Sequence, residues 1–221
     1  MNQSPERLGQ QRHAVRDVQC RLERIYALEI GPNIVDFLRI GEAHSREALL
    51  LREVDDALEM ALVLPPQAAA PPQRTPVRDA AHYHATDEFL QLVEGVSHFV
   101  YVAERARTGL PATQLELELQ AEVDKFVVLS LGQAPITATS KRAVMLDSAS
   151  GRRLHDMLYD GFRFLHAAGT EAGERYRLAN QLAARFTARL VATREPTSIE
   201  QALRRFYRAG QTEKIRLARA A

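Results

Sequence analysis

The chain has 221 residues, 46% hydrophobic and 26% charged, with a formal net charge of +1. No apolar run approaches the ~20 residues that cross a bilayer, and the lone Cys20 rules out an intrachain disulfide. These features exclude a membrane-spanning helix and a disulfide scaffold. The opening Met1-Asn2-Gln3-Ser4-Pro5-Glu6 also lacks the basic-then-apolar order of a signal peptide. A cytoplasmic globular protein is expected. Its basic residues are almost all Arg, with Lys only at 125, 141 and 214, which suggests a GC-rich bacterial genome.

Residues from Pro5 to about Glu29 predict an amphipathic helix. Val15, Val18, Leu22 and Ile25 step by three, four and three along one face. Gly31-Pro32-Asn33 ends it. Ile34–Ile40 reads as a short strand or one turn of helix. Glu47–Leu64 fits two patterns. Leu58, Met60, Leu62 and Leu64 alternate as in a strand, whereas Leu50, Val54, Leu58 and Ala61 fit a helical face. Asp55-Asp56 interrupts two runs of strand length, and this favours a β-hairpin.

Five of the ten prolines lie between Pro65 and Pro76, the composition of an extended linker. The expected organisation is therefore an N-terminal α+β module (1–64), a proline-rich linker (65–85) and a helical bundle (86–221). The fold class is mainly α: a small helix-plus-hairpin module followed by four or five helices.

The bundle is expected to grow from a helical hairpin. Its first helix runs Thr86–Thr108, Gly109-Leu110-Pro111 breaks it, and Thr113–Leu131 follows. Thr113 and Glu116 match a capping box. The first helix is apolar except for a stripe of Glu94, His98, Tyr101 and Arg105; the second carries Glu118, Glu122 and Lys125. An antiparallel pair would set Arg105 beside Glu118, Tyr101 and His98 near Glu122, and Glu94 toward Lys125. Buried charges need such partners, so a register-fixing seam is expected. The same residues are the candidates for chemistry: Glu94, His98, Tyr101, Glu118 and Glu122 for catalysis, Arg105 and Lys125 for binding. Glu and His at i,i+4 resemble metal ligands of helical bundles. Yet no repeated Glu-x-x-His element is present, and the two cations would repel a metal. His82 and His84, two apart ahead of the helix, are weak metal candidates that no Cys or second His pair completes.

A third helix is expected from Ser150 to about Ala168, with His155, Tyr159, Phe162 and His166 on one face. A fourth covers Glu171–Ala192, with Ala179, Leu182, Phe186 and Leu190 inward. Ser198 and Gln201 suggest the start of a fifth. After Gly210, residues 211–221 read as a basic helical tail whose end is free to fray.

Charge is unevenly spread. Residues 86–150 hold 5 basic and 9 acidic groups; residues 151–221 hold 14 and 7. Arg204, Arg205 and Arg208 lie beside Phe206 and Tyr207, a pattern that can grip phosphates and stack bases. A pI of about 8.0 falls short of the usual nucleic-acid footprint. Walker, Gly-x-Gly-x-x-Gly, Gly-x-Ser-x-Gly and His-Glu-x-x-His motifs are all absent, and no cofactor is indicated. The expected function is protein binding or adaptor activity, through a homo-oligomer or a protein partner, with no membrane. Two alternatives stand beside it: an enzyme or ligand site on the hairpin, and nucleic-acid binding through the arginines.

Overall fold

The computed structural model describes residues 5–43, 45–55, 57–68, 80–131, 148–160, 165–193 and 195–220. The protein is mainly α with a small α+β part. In chain order the elements are α1 (Pro5–Tyr26), α2 (Ile34–Phe37), β1 (Leu38–Ile40), β2 (Ala48–Val54), β3 (Ala57–Leu64), α3 (Ala80–Arg107), α4 (Gln114–Leu131), α5 (Ser148–Tyr159), α6 (Glu171–Ala192), α7 (Pro196–Arg208) and α8 (Gln211–Arg219). None of the described helices is long and apolar enough to cross a membrane.

Two compact units divide the described chain. The first comprises residues 1–23 and 30–110, the second residues 24–29 and 111–221. The division falls at the Gly109-Leu110-Pro111 break, so α3 groups with the sheet. Most of the proline-rich stretch, including 69–79, lies outside the described residues.

In the first unit, β2 and β3 form the antiparallel hairpin expected from their alternation, and Asp55 takes the left-handed conformation that a two-residue turn needs (φ 52°). Ile34–Ile40 becomes both things it could be, a helical turn capped by Asn33 and then a strand parallel to β3. The sheet order is β1-β3-β2. α3 lies on the face bearing Leu62 and Leu64. Gly95 permits this approach: a Cβ there would stand 2.8 Å from Leu62 Cδ1 and 3.2 Å from Leu64 Cδ2. The core joins Val15, Val18 and Leu22 of α1, Ile34, Leu62, Leu64, Leu92, Val96 and Phe99.

In the second unit, both bonds of the expected capping box start α4. Glu116 N–H donates to Thr113 Oγ1 (3.2 Å) and Thr113 N–H to Glu116 Oε2 (2.8 Å). α6 turns Ala179, Leu182, Phe186 and Leu190 inward as its periodicity requires, and Thr170 caps it by accepting from Gly173 N–H.

Three expectations are corrected. The third helix stops at Tyr159, not Ala168. Leu165 and His166 are not helical; the His166 ring stacks on Tyr176 and its carbonyl accepts from Arg177, which ties this stretch to α6. His155 and His166 therefore share no helix face, while Phe162 lies outside the described residues. α7 is capped by Glu195, whose carboxylate accepts from the Thr197 and Ser198 amides, and not by Ser198. Pro at the first helical position favours that earlier start. Finally, the basic tail is helical as expected, forming α8, but it is not a loose end: Lys214 and Ala218 are buried, and Arg189 donates to the Leu217 and Ala220 carbonyls.

Candidate functional site

In the first unit the α3 stripe exists as drawn from the sequence. Glu94, Tyr101 and Arg105 are buried and His98 is half-buried. Arg105 forks onto the Tyr101 hydroxyl through Nε (3.0 Å) and Nη2 (2.7 Å), with its guanidinium 5.0 Å from the ring centre. At the other end Arg46, ahead of β2, lies 3.9 Å from Glu94 Oε2 and 3.8 Å from Glu47 Oε2. One guanidinium thus bridges two nearly buried carboxylates. Ligand atoms of Glu94 and His98, one helical turn apart, approach within 4.8 Å, the spacing of a two-point chelate. His82 and His84 fall inside α3, which begins at Ala80 and not at Thr86; their side chains are outside the described residues.

Glu118, Glu122 and Lys125 belong to α4 and the second unit. The expected cross-helix pairs therefore join residues of different units. Inside the second unit Lys125 Nζ donates to Glu122 Oε1 at 2.7 Å, with both groups buried. Tyr159 donates to the Glu122 backbone carbonyl (2.9 Å). Burial, and then the Glu122 charge, pushes the Tyr159 hydroxyl well above its ordinary pKa.

The deepest polar cluster of the second unit escaped the sequence reading. Tyr26 OH donates to Asp124 Oδ1 in a short bond. The Gln120 side-chain amide donates to Tyr26 OH (3.1 Å) and Asp124 Oδ1 (2.9 Å), and its Oε1 accepts from Lys214 Nζ (2.5 Å). Lys214 also donates to the Phe206 carbonyl (2.9 Å) and sits 4.4 Å from the Phe206 ring centre. Lys214 and Gln120 have 0% exposure. Desolvation first, then the Asp124 charge, raises the Tyr26 pKa well above 10. The available sequence signal was Gln120 and Asp124 at i,i+4 on α4.

The arginine cluster is engaged by its own unit. Arg204 Nε donates to the Ile25 carbonyl (3.1 Å), and Arg208 Nη2 to those of Tyr26 (3.1 Å) and Ala27 (3.3 Å). These are the terminal carbonyls of α1, which lack helical donors. Arg205 pairs with Glu213, which also holds Arg216. The Glu213 carboxyl is lowered to about 2, chiefly by the Arg216 hydrogen bond.

A second feature unseen in the sequence is the rim of the sheet. β2 is an edge strand, and Leu50 (57%) and Leu51 (48%) are exposed on its opposite faces. Among the described residues no strand pairs with its outer side. Arg52 is matched across the hairpin by Glu59, with Nε to Oε2 at 2.9 Å.

These parts define a mainly α protein with several buried ionisable groups and a sheet rim that no strand covers among the described residues. No protein-family model, curated protein or solved structure matches the chain.

Proposed function

We propose that the chain is a cytoplasmic protein-binding or adaptor component, acting by association and engaging a protein along the outer edge of β2. The observation that carries this is an edge strand with adjacent leucines exposed on both faces. Natural sheets blunt such edges with charge, proline or a covering element, because an unpaired strand recruits another. The first four residues of β2, Ala48-Leu49-Leu50-Leu51, contain no such device. Backbone pairing would supply affinity, and alternating side chains selectivity. Amide hydrogen exchange tests this: association should slow the outward-facing amides of β2, and Leu51→Lys should abolish both association and protection. A complex that forms with β2 amides still exchanging at the free-chain rate would sink it.

A second reading takes its support from the Glu94–His98 spacing: a small-ligand or metal-dependent role on α3. Cobalt(II) titration followed by its visible absorption would test it. Binding lost in Glu94→Gln and His98→Asn would support it; an unchanged spectrum in the parent protein would remove it.

A further inference from the structure

We infer that the strand laid against β2 is β2 of a second copy of this chain, running antiparallel about a two-fold axis at Leu50. The inference rests on the association reading above and names its partner.

The hairpin geometry fixes which groups face outward. A two-residue turn is closed by a hydrogen-bonded pair, here Val54 and Ala57. Hydrogen-bonded and non-bonded pairs then alternate, so Ala48, Leu50, Arg52 and Val54 bond to β3. Leu49, Leu51 and Glu53 present their N–H and C=O groups to the open side.

A two-fold axis perpendicular to the sheet keeps like faces together and makes the contact self-complementary. Few registers then remain. An axis at Arg52 sets Arg52 against its own copy, and an axis at Glu53 does the same with carboxylates. Like charges directly opposite destabilise a sheet, which removes both. An axis at Leu49 overlaps only Ala48 to Leu50, three residues of β2. An axis at Leu51 places Glu53 against Leu49, twice. An axis at Leu50 places Leu50 on Leu50 on one face and Leu49 on Leu51, twice, on the other. Ala48 then meets Arg52, which keeps Glu59 as its ion partner. Glu53 lies beyond the five-residue overlap, level with Glu47 of the other copy, whose carboxylate Arg46 holds. The strand's leucines pair with one another, and of its charged residues only Arg52 enters the overlap.

The product is a continuous six-stranded sheet, β1-β3-β2-β2-β3-β1, a common sheet size. Its face with Leu49 and Leu51 continues the face that bears Leu62 and Leu64. An overlap of five residues is small against a standard interface, so dimerisation is weak and concentration-dependent.

Sedimentation velocity from about 1 to 100 µM should show a monomer–dimer equilibrium, with Kd on the order of micromolar or weaker. Leu50→Lys should abolish it, while Leu165→Lys, at an exposed leucine in the second unit, should not. In a Cys20→Ala background, mild oxidation should crosslink Leu50→Cys chains, and Leu51→Cys chains only slowly. A monomer throughout, a dimer indifferent to Leu50→Lys, or faster crosslinking of Leu51→Cys would each overturn the inference. A monomer whose capture of another protein is still lost on Leu51→Lys would overturn the self-pairing alone and leave the association reading standing.

Discussion

Replacing Gln120 with Leu removes one amide from the centre of the second unit. The amide touches two charged groups there, the Lys214 ammonium at 2.5 Å and the Asp124 carboxylate at 2.9 Å. Neither gains water, since Lys214 is fully buried and Asp124 is 1% exposed. Leucine fills most of the volume, so a cavity contributes little. A buried charged group that loses a partner costs roughly 1.5–3 kcal/mol. With two such groups affected, the loss is about 3–5 kcal/mol. Urea unfolding followed by far-UV circular dichroism should show a lower midpoint with an unchanged m-value. Adding Lys214→Met removes the stranded ammonium, so the double variant should recover about 1 kcal/mol or more relative to additivity. A loss under about 1 kcal/mol for Gln120→Leu, or strict additivity, would refute the idea that this amide holds the two charges.

Four further outcomes are expected. Tyr26 holds its proton more tightly folded than unfolded, so its contribution is complete below pH 10 and is lost as pH rises toward the raised folded value; Tyr26→Phe should flatten the alkaline limb of the stability curve while weakening the fold at neutral pH. Glu195 is lowered to about 2 from 4.5, chiefly by its hydrogen bonds to Ser198. Its contribution is present above pH 4.5 and lost as pH falls toward 2, so Glu195→Ala should flatten that acid limb, an effect that salt reduces. Gly95→Val should destabilise the first unit by about 1–3 kcal/mol through overlap with Leu62 and Leu64; a midpoint equal to the parent's would count against the close approach. Arg204→Ala with Arg208→Ala should cost about 1–3 kcal/mol by uncapping the α1 carbonyls, which thermal melting would register as a lower midpoint.

The local code of this chain was readable where short-range physics decides. Thr113 and Glu116 announced both bonds of their box, and the alternation after Asp56 outweighed the helix propensity of Ala, Leu, Glu and Met. The α3 stripe also followed directly from 3.6-residue periodicity. Where two signals competed, the nearer one misled: Ser198–Gln201 fits a box, but Pro196 admits Glu195 as the cap. The Tyr26–Asp124–Gln120–Lys214 cluster was hidden because it joins residues 94 and more positions apart. Lys214, one of several cations in the basic tail, gives no local sign that it will be enclosed. The open rim of the sheet was equally invisible, because alternation identifies a strand without saying whether it lies at an edge.

That enclosed lysine also bears on how the second unit is made. Tyr26, Gln120 and Lys214 leave the ribosome in that order, Lys214 almost two hundred residues after Tyr26. Until residues 211–219 emerge, the Gln120 carbonyl and the Phe206 aromatic face wait without their cation. Burying Lys214 therefore needs a contact across 94 positions of sequence, the kind of long-range pairing that slows folding relative to local contacts. Until α8 docks, the polar cluster around Gln120 and Asp124 is incomplete.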